Sequence, residues 1–395
     1  MERIKELIEK CYEDVVRYRR KIHQNPELGG YEVKTSELIA EELEKMGIEV
    51  KKGFAKTGIQ GMIYGDNPNG KTIMIRADID ALPIEEKNEC NYRSLIKGVM
   101  HACGHDVHTA ILLGTAKVLS EMKDVINGNV KFCFQPSEEG PGGATEMIKD
   151  GIMENPKVDY TIGLHVDPSL KFGEIAVEGG PISAYPRFFD ITFKGKGGHG
   201  SFPSKSVDPI LPAVEAYNMI NSIHKKINPL EPCVVQVCQF NAGMAPAAIP
   251  NEARIAGTTR TVTKETRDLL ERDIRKIAED VSKLYGVQYE FKYCGGAQPI
   301  INDLKYSEKI KESIKNVFEK GFAKNETIKL AADDFCWYAD HSPVTYMLLG
   351  TSTEDKKTQY PVHNPNFDID ETVMKKGIEA FVRITIDYLN EEYDK

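Results

Sequence analysis

The sequence predicts an α/β protein in which a mainly parallel sheet with flanking helices is interrupted by an inserted βαββαβ unit. Short, uninterrupted apolar runs at 72–77 (TIMIRA), 130–135 (VKFCFQ) and 160–166 (YTIGLHV) read as buried strands. Between the first two lies VHTAILLGTAKVLSEM, whose apolar positions keep a helical period; alternation of this kind predicts parallel strands covered by helices. In the middle of the chain the order changes to strand, helix, strand, strand, helix, strand.

Taken from the start, MERIKELIEKCYEDVVRYRRKIHQNPEL is an amphipathic helix without an apolar run long enough for a signal peptide or a membrane span. The three buried strands and their helix follow. FFDITFKGKG, PCVVQVCQF, EARIAGTTRTV and VQYEFKYC then read as strands, with DPILPAVEAYNMINSIHKKI and KETRDLLERDIRKIAEDVSKLYG as the helices among them. This is the ferredoxin-like order. A strand at 344–350 (VTYMLLG) and the helix DETVMKKGIEAFVRITIDYLNEEY return to the first layer. The expected division is therefore an α/β domain of residues 1–185 and 296–395, with an inserted domain at 186–295.

Totals narrow the partners. At 395 residues the chain suits two domains better than one core. A formal net charge of −9 argues against nucleic acid or an anionic membrane as the main partner, since both attract basic surfaces. The eight cysteines are scattered rather than densely spaced, which fits reduced thiols in the cytoplasm; most are expected to be small buried apolar residues.

In open α/β sheets ligands sit beyond the carboxyl ends of the strands, and the polar clusters fall there. The first strand runs into Asp78 and Asp80, the second into Glu138 and Glu139, and the third carries His165. His363 follows the 344–350 strand, and MHACGHDVH (100–108) opens the helix after the first. Thiolate and imidazole suit Zn²⁺ and related ions, so Cys103 and His105, flanking a glycine, favour a metal site over a buried apolar cysteine. No second cysteine forms a C-x-x-C pair, which disfavours a thioredoxin-like redox role. His101 is expected in a supporting or backbone-bonded position and His108 against a helix packing surface. Asp106 either caps the helix or orients a ligand histidine. Adjacent Glu138 and Glu139 point apart on any regular backbone, so one can bind metal while the other takes a proton from water. Alone, that pair would read as an exposed acidic turn, His165 as a core histidine and His363 as a loop residue; together they complete a five-ligand set.

The motifs RADIDALP, MHACGHDVHTA, QPSEEGPGGA, GLHV, GKGGHGSFP, GTTRT and HNPNFDIDE, in this order along nearly the whole chain, resemble the dinuclear-metal amidohydrolases and carboxypeptidases. That group includes hippurate hydrolase, aminoacylases, indole-acetyl-amino-acid hydrolases and N-acetyl-diaminopimelate deacetylase. The resemblance implies two divalent ions per subunit (Zn²⁺, Mn²⁺, Co²⁺ or Ni²⁺), held by Cys103, His105, Glu139, His165 and His363, with Cys103 bridging. It implies Glu138 as general base, Asp80 as a supporting carboxylate, His199 as an oxyanion donor and Arg260 as a grip on the substrate carboxylate. The inserted domain becomes a lid and dimerisation domain, and the assembly a homodimer or homotetramer.

Three departures bear on substrate identity. Ala247 stands where many relatives have asparagine, Asp333 where they have glutamate before Asp334 and Phe335, and Pro343–Val344 where a Pro-Gly turn is common. The implied reaction is hydrolysis of an N-acyl amino acid, or of a small peptide with a free carboxylate, by water activated between the ions. Its rivals are an aminopeptidase or dipeptidase acting on free amines, a non-catalytic metal-stabilised binding protein, and a redox-sensing thiol protein.

Overall fold

The computed structural model describes residues 2–140, 142–318, 321–323 and 332–390. The chain divides into two compact units, one spanning Pro181–Ile300 and the other built from the segments before and after it.

The larger unit opens with helix α1 (Glu2–Gln24), which buries Ile4, Ile8, Cys11, Val15, Tyr18 and Ile22 along one face. That three-and-four spacing is the signature of a helix laid on a core. Helix α2 (Val33–Lys45) and the antiparallel pair β1 (Glu49–Phe54) and β2 (Gly58–Tyr64) follow. Next come β3 (Thr72–Asp78), α3 (His105–Ser120), β4 (Asn129–Gln135), α4 (Gly143–Lys149), β5 (Tyr160–Lys171) and the short β6 (Ile175–Ala176). The sheet order is β1-β2-β4-β3-β5-β11-β6, where β11 is Val344–Ser352. Its four central strands, β4, β3, β5 and β11, are parallel, whereas β1, β2 and β6 pair antiparallel at the edges. The fold is thus mixed α/β with a mostly parallel centre; the antiparallel edges lie largely in a stretch (29–71) whose strands carry no long apolar run.

Every residue of β3 and β4 is buried, including two cations. Lys131 donates to the main-chain oxygens of Ile152, Glu154 and Pro156 at 2.7, 2.9 and 3.0 Å. Arg76 is balanced by carboxylates, as a buried guanidinium must be. Helix α3 packs with α1 and with α8 (Val373–Leu389) over β3. Gly114 permits that approach, since a Cβ there would lie 2.5 Å from Ile378 Cδ1 and 2.9 Å from Val15 Cγ2. The expected continuation of α8 to Tyr393, and of α1 back to Met1, lies outside the described residues.

The second unit runs β7 (Tyr185–Lys194), α5 (Ile210–Ser222), β8 (Cys233–Ala242), β9 (Glu252–Thr261), α6 (Lys264–Tyr285) and β10 (Gln288–Cys294). Its antiparallel sheet has the order β8-β9-β7-β10. Alternating Phe189, Ile191 and Phe193 of β7 pack with Ala213, Ala216 and Ile220 of α5 and Leu270, Ile274 and Ala278 of α6. Thr263 caps α6 by accepting the Thr266 N–H, and Gly286, left-handed at φ 67°, ends it. Helix α7 (Leu304–Ile314) returns the chain to the first unit and packs on α8.

Candidate metal centre and active site

The loops after β3, β4 and β11 and the middle of β5 bring the expected ligands together. Gly104 turns the chain into α3 with φ 85°, and a Cβ there would lie 2.5 Å from Val166 Cγ2, so glycine alone lets ACGH approach β5. Cys103 Sγ stands 3.4 Å from His165 Nε2. Donor atoms of Cys103, His105 and His165 all lie within 4.8 Å of one another, and so do those of Cys103, Glu139 and His363. Cys103 is common to both groups. His363 Nε2 is 2.8 Å from Glu139 Oε1. Its backbone is left-handed at φ 65°, held by donation of its N–H to the Ala102 oxygen at 2.7 Å. A non-glycine residue keeps such a conformation only when its surroundings impose it, and here they aim the ring at Glu139.

A second layer aims the ligands. Asp80 lies with Oδ1 at 3.1 Å and its main-chain oxygen at 2.9 Å from His105 Nδ1, and Oδ2 accepts the Glu139 N–H at 3.0 Å. His165 Nδ1 donates to the Val166 oxygen at 2.7 Å. His105 Nε2 is buried without a hydrogen-bond partner among the described residues. A buried, oriented imidazole nitrogen with carboxylates of Asp78 and Glu138 at 3.7 and 3.9 Å, beside a thiol and two further histidines, fits a pair of borderline divalent ions.

The adjacent glutamates both come near His105 and differ in their other partners. Burial favours the neutral form of Glu139, but His363, His105 and Cys103 together outweigh it and hold the carboxyl below its usual range. Glu138 lies 3.9 Å from His105 Nε2 and also faces Asp333 and Asp334. Burial and then those two carboxylates push its proton affinity well up, which suits a group that must accept a proton. Arg76 steadies the acidic pair, with Nη2 at 3.2 Å from Asp333 and 3.0 Å from Asp334.

Several expectations are corrected. Asp106 neither caps α3 nor touches a ligand histidine; Gly104 is the cap residue, and Asp106 binds Arg19 Nε and His23 Nδ1, each at 2.8 Å. His101 makes no backbone bond: both ring nitrogens are buried and unpaired among the described residues, and burial lowers it to about 4. His108 faces polar partners rather than an apolar surface, with Nδ1 2.6 Å from Asp78. Apart from Cys103, only Cys11, Cys133 and Cys336 are buried; Cys90 and Cys233 are half-buried, and Cys238 and Cys294 are exposed on β8 and β10. All eight are free thiols. Sequence reasoning missed Arg76 and Asp78 as organisers of the site. The signal was an arginine inside a wholly apolar strand, which demands carboxylates nearby.

His199 and Arg260 belong to the second unit. His199 is exposed and accepts the Ser201 N–H on Nδ1 at 3.1 Å, leaving its proton on Nε2 as a free donor. Gly198–His199 pairs with Ala248–Ile249, and the Ala247 oxygen accepts the Gly200 N–H at 2.8 Å. Arg260 stacks over Phe188 at 5.4 Å and donates to Thr258 and Thr259, with no carboxylate partner among the described residues.

A mixed α/β sheet with this cluster at its strand ends defines a hydrolase of amide or peptide bonds. The chain belongs to peptidase family M20/M25/M40, whose profile matches residues 74–387. It is 39% identical to thermostable carboxypeptidase 2 of Saccharolobus solfataricus over 99% of both chains. It is 41% identical to an N-acyl-L-amino acid amidohydrolase of Geobacillus stearothermophilus, over 76% of this chain and 81% of that one. A solved dinuclear metal-binding peptidase of the M20 family from Bacillus subtilis superposes with a TM-score of 0.84 at 32% identity, covering 97% of this chain and 99% of the other. No described helix is long and apolar enough to cross a membrane.

Proposed function

We propose that the protein hydrolyses the amide bond of N-acyl amino acids, or of small peptides with a free carboxylate. The observation that carries this reading is a division of partners between two adjacent carboxylates that both come near His105: Glu139 also groups with Cys103 and His363, while Glu138 also groups with Asp333 and Asp334. A site built only to bind has no need of an acceptor beside its ligand.

In this reading Cys103, His105 and His165 would hold one divalent ion and Cys103, Glu139 and His363 the other, with Cys103 common to both groups; Zn²⁺, Mn²⁺, Co²⁺ and Ni²⁺ would all suit the set. When bound, such ions polarise the scissile carbonyl and acidify water. Glu138 takes the proton from the attacking water and returns it to the leaving nitrogen. Asp80 keeps His105 and Glu139 aimed. His199 donates Nε2–H to the tetrahedral oxyanion, a contribution on the order of 3 kcal/mol for one donor. Arg260, without an acidic partner among the described residues, grips the substrate carboxylate with its planar fork.

The inserted βαββαβ unit is assigned as a ferredoxin-like lid and dimerisation domain at 186–295, with residues 1–185 and 296–395 as the catalytic domain. A homodimer finds support in β8, an edge strand beside the exposed Leu211, Val214, Tyr217 and Phe240. Edges and apolar patches of this kind ordinarily meet a partner. Sedimentation should show a dimer in the wild type and a monomer in the double variant Tyr217→Lys, Phe240→Lys; an unchanged dimer would contradict the assignment.

The function is tested by stripping the metal, reconstituting with each ion, and comparing N-acetyl amino acids with their unblocked dipeptide counterparts. Cleavage of the acetylated set is expected. Cleavage confined to unblocked dipeptides would favour an aminopeptidase, and binding without product a binding protein.

A further inference from the structure

His108 has no part in the ligand set, yet it is buried between two of the proposed ligands. Its ring packs edge-on against His165 with centroids 4.6 Å apart and lies 5.5 Å from His105. Asp78, itself paired with Arg76, sits 2.6 Å from His108 Nδ1. Nε2 accepts the Val166 N–H at 3.0 Å. An imidazole nitrogen that accepts an N–H is unprotonated, so the ring proton is on Nδ1 and donated to Asp78. With its Nε2 lone pair occupied, His108 has none left for a metal, although it lies within ligating distance of Asp78 and His105.

Val166 is gripped from both sides. Its N–H goes to His108, and its oxygen accepts from His165 Nδ1 at 2.7 Å. Strand β3 registers with β5 only as far as the Arg76–Gly163 pairing, so no strand neighbour on that side supplies an acceptor beyond it. A buried N–H needs one, and His108 provides it. The bond to His108 fixes the His165–Val166 peptide plane, and the carbonyl one Cα further on holds His165 Nδ1, leaving Nε2 facing Cys103 at 3.4 Å.

We infer that His108 is a positioning residue: through the main chain of Val166 it sets the aim of His165, along the path Arg76–Asp78–His108–Val166–His165. The inference rests on the metal reading above.

Two substitutions separate the halves of the ring. His108→Gln keeps an acceptor at the Nε2 position for Val166 and loses the donor to Asp78; His108→Asn does the reverse. Each loses one buried hydrogen bond, and circular dichroism and thermal unfolding of the metal-free full chain verify that both fold. Zn²⁺ stoichiometry and affinity are then measured by competition with a chromogenic chelator. His108→Gln should bind two ions within about threefold of wild type, and His108→Asn should lose about 10- to 100-fold for one ion and not the other. Wild-type affinity in His108→Asn would overturn the inference, as would equal losses in the two variants or equal weakening of both ions. Wild-type protein that bound no Zn²⁺ would overturn the metal reading itself, and this inference with it.

Discussion

Asp80 grips His105 twice, with its side-chain and main-chain oxygens 3.1 and 2.9 Å from Nδ1. The grip leaves Nε2 as the atom that would ligate a metal, and the same carboxylate takes the Glu139 N–H. One residue thus aligns a ligand from each of the two donor groups.

Replacing Asp80 with Ala should accordingly weaken metal binding by about 10- to 100-fold while the protein stays folded. Chelator competition measures it. Unchanged affinity would mean that His105 and Glu139 are aimed by other contacts.

His23 joins Asp106 at 2.8 Å and Glu86 at 3.1 Å beneath the site. Burial and Arg19 oppose its charge, but Asp106 and Glu86 together outweigh them and raise it from 6.5 to about 8. The folded state therefore binds the proton more tightly than the unfolded chain. That stabilisation is complete below about pH 6.5, declines as pH rises to about 8, and amounts to about 2 kcal/mol. Urea unfolding of wild type and His23→Gln at about pH 6 and about pH 9 should show the difference between them shrinking by that amount. A pH-independent difference would contradict the account.

Lys131 satisfies three carbonyls from the interior of β4. Lys131→Met keeps the stem but leaves those oxygens without their donor, at a cost of about 2–4 kcal/mol in urea unfolding. A loss below about 1 kcal/mol would mean that water reaches them.

Some of this was legible in the sequence, for physical reasons. TIMIRA, VKFCFQ and YTIGLHV are buried on both faces in a parallel centre, so their apolar runs are unbroken. In the second unit, alternation around Phe189–Phe193 and the helical period of α6 mark a one-sided sheet and its cover. Residues 33–64 were not read: β1 (EVKKGF) has no buried residue, and β2 carries two glycines. The site divides the same way. Cys103, His105, Glu139, His165 and His363 stand at strand ends or in recognisable motifs, where topology alone predicts convergence. Asp106 was misread because its partners Arg19 and His23 lie on α1, more than eighty residues away. The exposed Cys238 and Cys294 escaped because composition does not say which face of a strand is covered.

The central claim is that this centre cleaves amides with Glu138 as proton acceptor. Its most direct test is the turnover of an N-acetyl amino acid by wild type and Glu138→Ala, measured beside the metal content of each. Both should hold two ions per chain, while the variant turns over about 10²-fold more slowly or worse. Full turnover by Glu138→Ala, with its ions in place, would contradict the account.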